Sequence, residues 1–389
     1  MKIGIITCWK SLDNYGQQLQ CYALQTLLRG WGHDAFLIRY NPVRKERTVW
    51  QKIVNHLQHP QYFLNHLPFE TEEKRRTKLE LKLKNENDRN NPQRQFEKFR
   101  QEHLQMTDRI YNSYTELQAN PPKADVYITG SDQVWHNPYS EEETKGWFLQ
   151  FGSNKVKRLS YAASIGRIIE GSELQQLHSF LKRFDAISVR EESACQQCKH
   201  LGFNAEVCVD PTMLLSVDTY KRMASPQQNA GNAYAFIYVL NVRTSNEVYW
   251  PQINEYLKEC NLEIKSVTGS GYYQGRELIE GNKNLLATIP EWLSYIEHTQ
   301  CVFTTSFHGT VFSILMHKPF LTIGLKGKYS RSNARMEQLL SALGIPERMF
   351  DSRKSVREQM EAPIHWEDVD IKLEQLKSSS LDFLKKNLG

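Results

Sequence analysis

The chain has 389 residues, which is enough for two domains of ordinary size, each with a sizeable core. Its apolar, aromatic and charged fractions are 40%, 11% and 24%, a composition that excludes an intrinsically disordered chain. The net charge of +5 is local, because residues 74–100 hold ten Lys or Arg against four Asp or Glu. The near-neutral remainder argues against nucleic-acid binding as the main role.

The cysteine content and the lengths of the apolar stretches indicate in which cellular compartment the protein is expected. Seven scattered cysteines do not resemble a secreted disulfide framework, which is short and dense in cysteine. No stretch approaches the roughly 18 apolar residues of a membrane-spanning helix, and the apolar run after Met1 is too short for a signal-peptide core. We therefore expect a cytoplasmic protein. Cys195 and Cys198 form a lone C-x-x-C pair, for which redox or zinc chemistry is the alternative to a structural role. Because no second pair follows at metal-ligand spacing, no metal site is predicted.

The first elements in chain order predict a βαβ unit. Residues 2–7 are apolar and predict a strand, and 17–29 repeat apolar residues at helical spacing. Residues 34–40 predict a second strand, which Asn41 and Pro42 end. This order is typical of a parallel sheet.

Residues 44–107 interrupt this rhythm. Their periodicity is weak, and they carry the basic excess of the chain. We interpret them as a basic, largely helical insert at the edge of the first domain. The insert is either a solvated charged surface or a platform for an anionic acceptor or a membrane surface.

Four further strands then end in polar or glycine-bearing turns. They are predicted at residues 125–129, 157–162, 186–189 and 205–209. In open parallel sheets, ligands bind beyond the carboxyl ends of the strands. The turns after these strands are therefore where we expect functional residues.

The rest of the chain predicts a second domain. A polar linker at 225–232 separates an N-terminal domain, 1–224, from a second βα series at 233–365. The tail, 366–389, predicts a final helix that packs back on the first domain. The predicted fold class is α/β, with two doubly wound, Rossmann-like domains that face a cleft, as in GT-B glycosyltransferases.

The segment 301–312 is the most informative part of the chain. An apolar strand enters a short turn and an apolar helix leaves it, so His308 stands at a helix start. Gly309 and Thr310 would place unpaired backbone N–H groups there, and the positive end of a helix dipole favours anions. The same field disfavours a charged imidazolium, and a neutral histidine can act as a general base. Spacing alone equally allows a capping or core histidine.

Several motifs together resemble the polysaccharide pyruvyl transferase family. They occur in the family's order through most of the chain, with the insert outside the resemblance. The motifs are Asn14-Tyr15-Gly16, Gly130-Ser131-Asp132-Gln133-Val134-Trp135, Ser188-Val189-Arg190-Glu191, Val209-Asp210-Pro211-Thr212, and Ser306-Phe307-His308-Gly309 with Lys318-Pro319-Phe320.

The resemblance implies a reaction. Members of the family transfer the enolpyruvyl unit of phosphoenolpyruvate to a sugar of a polysaccharide or lipid-linked oligosaccharide. A cyclic pyruvate ketal forms and phosphate is released. Phosphoenolpyruvate is a co-substrate, and no cofactor or metal is implied. Capsular polysaccharide or exopolysaccharide biosynthesis is the implied setting.

The resemblance places a functional arginine and a functional histidine at Arg190 and His308. His308 is expected to handle the proton in catalysis. Arg190 is expected to bind the carboxylate or phosphate of the donor, and Gly309 and Thr310 the other anion. The alternative for Arg190 is a structural ion pair with nearby carboxylates.

The sequence departs from the family pattern at Ser306. Some members carry an arginine there, two residues before the histidine. Ser306 remains a candidate donor contact, and Lys328 or Arg331 is expected to supply the missing charge, with Arg335 able to serve the same role. The alternative is an exposed basic loop.

The acceptor side is assigned to the first domain. Asn14, Tyr15, Asp132 and Gln133 are candidates for binding sugar hydroxyls, because carboxylates and amides hydrogen-bond to diols. The alternative for these residues is hydrogen bonding that stabilises the loops. The expected partners are phosphoenolpyruvate and a saccharide, one form of which is linked to a polyprenyl diphosphate at the inner face of the cytoplasmic membrane.

Two other functions stay open. A GT-B glycosyltransferase that uses a nucleotide sugar would share the fold and a similar anion site. An inactive carbohydrate-binding relative would keep the fold and lose the chemistry.

Overall fold

The computed structural model describes residues 1–11, 13–42, 92–136, 140–226, 232–242, 244–269 and 285–389. Among these residues, seven strands form a first sheet: β1 Lys2–Ile6, β2 Asp34–Tyr40, β3 Met106–Tyr111, β4 Val126–Thr129, β5 Lys157–Ala163, β6 Ala186–Val189 and β7 Ala205–Val207. Their order is β3-β2-β1-β4-β5-β6-β7, and every neighbouring pair is parallel. Strands β2 and β3 are added on one side of β1, and β4 to β7 are added on the other. The boundary between β1 and β4 is therefore the switch point of a doubly wound fold.

A second parallel sheet lies beyond the predicted linker. Its described strands are β8 Tyr234–Val239, β9 Glu263–Thr268, β10 Cys301–Thr304 and β11 Phe320–Thr322, in the order β11-β10-β8-β9. All three pairs are parallel. Its switch point lies between β8 and β10.

The helices of the described residues connect these strands. They are α1 Tyr15–Gly30, α2 Phe96–His103, α3 Tyr114–Ala119, α4 Glu141–Trp147, α5 Ser172–Leu181, α6 Glu192–His200, α7 Val217–Met223, α8 Trp250–Glu259, α9 Ile289–His298, α10 Phe307–Leu315, α11 Ala334–Leu343, α12 Val356–Glu361 and α13 Trp366–Leu388. None of them is long and apolar enough to cross a membrane.

The predicted insert falls largely outside the described residues, which resume at Pro92. The described part holds helix α2 and the beginning of β3, which pairs with β2 at the edge of the first sheet. The predicted boundary at 107 therefore divides a strand. The polar side chains of Thr107, Asp108 and Arg109 are partly or fully exposed, so this edge strand lacks the apolar run of its neighbours.

Tyr15 and the C-terminal helix join the two domains. Tyr15 is fully buried, and its ring stacks on Trp292 of the second domain at 5.5 Å between centroids. Helix α13 packs Val369 against the second domain's core and Phe383 against the core beneath β1. The predicted α/β fold, with two Rossmann-like domains facing a cleft, is confirmed.

Candidate functional site

Both switch points open into one cavity of about 960 Å³ between the domains. Asp132 and Gln133 follow β4, and Asn14 precedes α1, which follows β1. On the other side the lining residues follow β8 and β10: Leu240, Asn241, Ser306, Phe307 and His308. Parallel sheets place ligands at such positions, and here two of them face each other.

His308 lies in the first turn of α10, as the sequence predicted for a helix start. The helix begins because Ser306 adopts an extended backbone and its hydroxyl accepts a hydrogen bond from the N–H of Gly309. His308 lines the cavity yet is only 5% exposed. Its Nε2 lies 3.5 Å from Oδ2 of Asp210 and has no hydrogen-bond partner among the described residues.

Gly16 sets the position of the His308 ring. A Cβ built on Gly16 would lie 2.1 Å from both Cγ and Nδ1 of His308. Any side chain at residue 16 would therefore displace either the imidazole or the start of α1. The glycine of the first motif thus contacts the histidine of the last one.

Asp210 is the buried centre of the polar network beneath His308. It has no exposed surface, and its Oδ2 accepts hydrogen bonds from Nη1 of Arg190 and from the Ser131 hydroxyl, both at 3.0 Å. Its Oδ1 accepts from the N–H and hydroxyl of Thr212. Burial alone would raise the pKa of Asp210, but His308, Arg190 and the Thr212 N–H outweigh it and hold the pKa well below its usual range.

Arg190 belongs to this network and does not line the cavity. Besides Asp210, it lies 3.5 Å from Glu191 and 3.9 Å from Asp132, and its side chain is 3% exposed. Burial would lower its pKa, but these three carboxylates raise it overall. The structure therefore favours the ion-pair alternative over direct donor binding, because the charge of Arg190 is already engaged.

The prediction that Gly309 and Thr310 offer free N–H groups is wrong. The Gly309 N–H donates to the Ser306 hydroxyl, and the Thr310 N–H donates to the Ser306 carbonyl at 3.0 Å. The helix begins at Phe307, with Ser306 as its cap, so the N–H groups left without a helical partner are those of Phe307 and His308. Among the described residues neither has another acceptor.

The basic loop that follows β11 reaches the cavity. A 3₁₀ segment, Gly327–Asn333, includes Lys328 and Arg331, but the side chains of these two lie outside what the structure describes. Their neighbours Tyr329, Ser330 and Ser332 line the cavity. Arg335, in the first turn of α11, also lines it.

On the acceptor side, Asn14, Asp132 and Gln133 line the cavity as a group. The Asp132 side chain is 8% exposed, and its backbone is left-handed, with a φ of 68°. The side-chain oxygen of Asn14 accepts from the Gln17 N–H and caps α1, so Asn14 combines a structural position with access to the cavity.

Tyr15 does not reach the cavity, contrary to its prediction as an acceptor contact. Its hydroxyl donates to the Ala287 carbonyl at 2.7 Å, and its ring packs between the domains. Burial is the main reason that the pKa of this phenol is raised. Tyr15 stands at the helix N-terminus beside Asn14, but adjacent helical residues point in different directions.

His136 is a cavity residue that the sequence reasoning missed as a site candidate. Its Nδ1 lies 3.2 Å from the Ile165 carbonyl, which can only accept, so Nδ1 carries a proton. His136 could have been identified from its place in the turn that also carries Asp132 and Gln133. Asp210 was recognised only as part of a motif, and no function was predicted for it.

A family model for polysaccharide pyruvyl transferases matches residues 14–327, most of the chain. The chain belongs to the polysaccharide pyruvyl transferase family. The match begins at Asn14, includes Asp132, Asp210 and His308, and ends before Lys328. A search of curated proteins found no significant match.

Solved structures resemble this polysaccharide pyruvyl transferase family member only remotely. A UDP-GlcNAc 2-epimerase from Neisseria meningitidis is 9% identical, with a TM-score of 0.45, covering 98% of this chain and 100% of that chain. The epimerase from Methanocaldococcus jannaschii is 10% identical, with a TM-score of 0.44, covering 97% and 93%. Spinosyn rhamnosyltransferase is 11% identical, with a TM-score of 0.44, covering both chains fully. Likenesses this remote carry no argument about function.

Proposed function

We propose that the protein transfers the enolpyruvyl group of phosphoenolpyruvate to a saccharide, forms a cyclic pyruvate ketal and releases phosphate. The observation that carries the proposal is the position of His308. It lies at a helix start inside the cavity between the domains, above a buried carboxylate, in a chain that belongs to the family. The reaction uses phosphoenolpyruvate as a co-substrate and needs no cofactor.

His308 would carry the proton that the reaction moves. One acceptor hydroxyl oxygen bonds to C2 of phosphoenolpyruvate, and its proton passes through His308 to C3, which becomes a methyl group. The bond from C2 to the phosphate oxygen then breaks, and phosphate leaves with the electron pair. The second hydroxyl oxygen bonds to C2 and gives up its proton to the phosphate that has left, which closes the ketal.

The donor's anionic groups would lie at the start of α10. The free N–H groups of Phe307 and His308 and the positive end of the helix dipole favour an anion there. Ser306 lines the cavity, and its hydroxyl can donate a further hydrogen bond. Lys328 and Arg331 remain proposed cations on the adjoining loop.

Asn14, Asp132 and Gln133 would bind the acceptor hydroxyls from the opposite wall. Carboxylate and amide groups suit a neutral diol. We place the acceptor on a polyprenyl diphosphate at the inner face of the cytoplasmic membrane, in capsular polysaccharide or exopolysaccharide synthesis. The basic segment within 44–107 would approach the anionic lipid.

The test supplies the purified protein with phosphoenolpyruvate and a synthetic β-galactoside or lipid-linked acceptor. Release of inorganic phosphate together with acid-labile pyruvate on the sugar supports the proposal. A parallel incubation supplies nucleotide sugars instead. Release of a nucleoside diphosphate without pyruvate transfer would make the protein a glycosyltransferase, and saccharide binding without any turnover would make it an inactive relative.

His308→Asn tests the proton-handling role. We expect kcat to fall by about a hundredfold or more, because loss of a general acid–base group typically costs that much. His317→Asn is the matched control, since His317 pairs with Asp370 on a half-exposed surface and does not line the cavity. Unchanged turnover in a folded His308→Asn variant would contradict the mechanism.

A further inference from the structure

One arginine of the cavity forms no ion pair with a carboxylate of the described residues. Among the described side chains, Arg167 and Arg335 are the arginines that line the cavity. Arg167 pairs with Glu173 at 2.6 Å. Arg335 has no carboxylate within 4.0 Å among the described residues, and its buried Nε has no hydrogen-bond partner there.

Arg335 and Arg190 both lie against the ring of Phe307. The guanidinium carbon of Arg190 lies 4.6 Å from the ring centroid, and that of Arg335 lies 5.7 Å from it. Arg190 is held by Asp210, whose Oδ2 lies 3.0 Å from its Nη1. A second cavity of about 730 Å³ is lined by Phe307 and both arginines, and of the two arginines Arg335 also lines the first cavity whereas Arg190 does not.

The environment of Arg335 favours a bound anion. Burial, followed by the nearby charge of Arg190, lowers the pKa of Arg335 to about 10, which still leaves it charged at pH 7. A largely buried guanidinium without a close counter-ion is destabilising, and an anionic ligand would offset this. Phe307 and His308, whose N–H groups lack a helical partner, line the same cavity and can add hydrogen-bond donors.

We infer that Arg335 binds the phosphate of the donor and stabilises its negative charge as the C2–O bond breaks. This inference deepens the proposed function and rests on it. Arg335 takes over the positive charge that Ser306 does not supply. It lies beyond residues 14–327, so the family match does not assign it. Its planar group can make two parallel hydrogen bonds to phosphate oxygens.

The experiment measures binding of inorganic phosphate and of phosphoenolpyruvate by calorimetry, together with turnover. We expect Arg335→Gln to weaken phosphate binding by about tenfold to a hundredfold, as for loss of a charged hydrogen bond. Arg335→Lys should have an intermediate effect, because it keeps the charge without the planar geometry. In turnover, kcat should fall more than KM rises, because the charge on the leaving phosphate grows in the transition state.

Arg357→Gln is the matched control. It removes one positive charge from the same domain, but Arg357 pairs with Glu259 and Glu361 on the surface and does not line the cavity. Phosphate binding should be unchanged in this variant.

Two results overturn the inference. One is equal phosphate affinity in the wild-type and Arg335→Gln proteins, and the other is no measurable binding of phosphate or phosphoenolpyruvate by the wild-type protein. If both proteins turn over phosphoenolpyruvate equally, the inference fails and the proposed function stands. If phosphate binding depends on Arg335 but phosphoenolpyruvate is not turned over, the anion site is supported and the proposed function fails.

Discussion

Gly16→Ala is the smallest change that would displace His308. Gly16 lies in the first turn of α1, where the helix approaches the imidazole from the opposite domain. The substitution adds one methyl group and removes no hydrogen bond. The variant therefore tests whether the position of the His308 imidazole matters, because the imidazole itself is unchanged.

The magnitude follows from the contact distance. The new Cβ would lie 2.1 Å from Cγ and Nδ1 of His308, whereas unbonded carbon atoms prefer about 3.5–4.0 Å. One of the two groups must therefore shift by more than about 1 Å. Overpacking costs about 1–3 kcal/mol, and the better helix propensity of alanine offsets up to about 1 kcal/mol. A shift of about 1 Å in a catalytic group can lower the rate by about a hundredfold.

The assay compares pyruvyl transfer and the denaturation midpoint for two alanine variants of the same helix. In Gly30→Ala, at the other end of α1, the new Cβ meets no atom within 4 Å. We expect Gly16→Ala to lose most of its activity with a modest fall in stability. We expect Gly30→Ala to keep its activity and to be equally or slightly more stable. Full activity in Gly16→Ala would refute the argument that His308 must occupy this position.

Three further predictions concern the interior. Asp210→Asn leaves Arg190 without its closest counter-ion and should lower the free energy of unfolding by about 3–5 kcal/mol; an unchanged denaturation midpoint would contradict this. Because the pKa of Asp210 is depressed, its ionised form stabilises the fold above about pH 4, and this stability is lost as the pH falls further. The same pH dependence of the free energy of unfolding in the wild-type and Asp210→Asn proteins would argue against this. Tyr15→Phe removes the hydrogen bond to Ala287 and should lower the free energy of unfolding by about 1 kcal/mol, with no change in the KM for the saccharide. A raised KM would instead support the prediction that Tyr15 contacts the acceptor.

The local pattern of apolar and polar residues was sufficient to predict most of the strands and helices. The strands after the insert were predicted close to their observed bounds, because buried parallel strands are short apolar runs that end in polar turns. Strand β3 was missed, since its exposed edge residues lack that run. The sequence predicted that His308 stands at the start of α10, but it did not predict the cap at Ser306, because capping depends on backbone geometry that apolar periodicity does not report.

The amino-acid sequence was sufficient to predict the two α/β domains, the family and the place of His308 at a helix start. These follow from residue spacing and motif order, which are local properties of the chain. Only the tertiary structure shows which charged side chains form ion pairs within the protein and which face the cavity. It pairs Arg190 with Asp210, buries Tyr15 between the domains and leaves Arg335 facing the cavity. The physical reason is that partners distant in sequence, together with burial, determine whether a charged group is available to a ligand, and spacing along the chain carries neither.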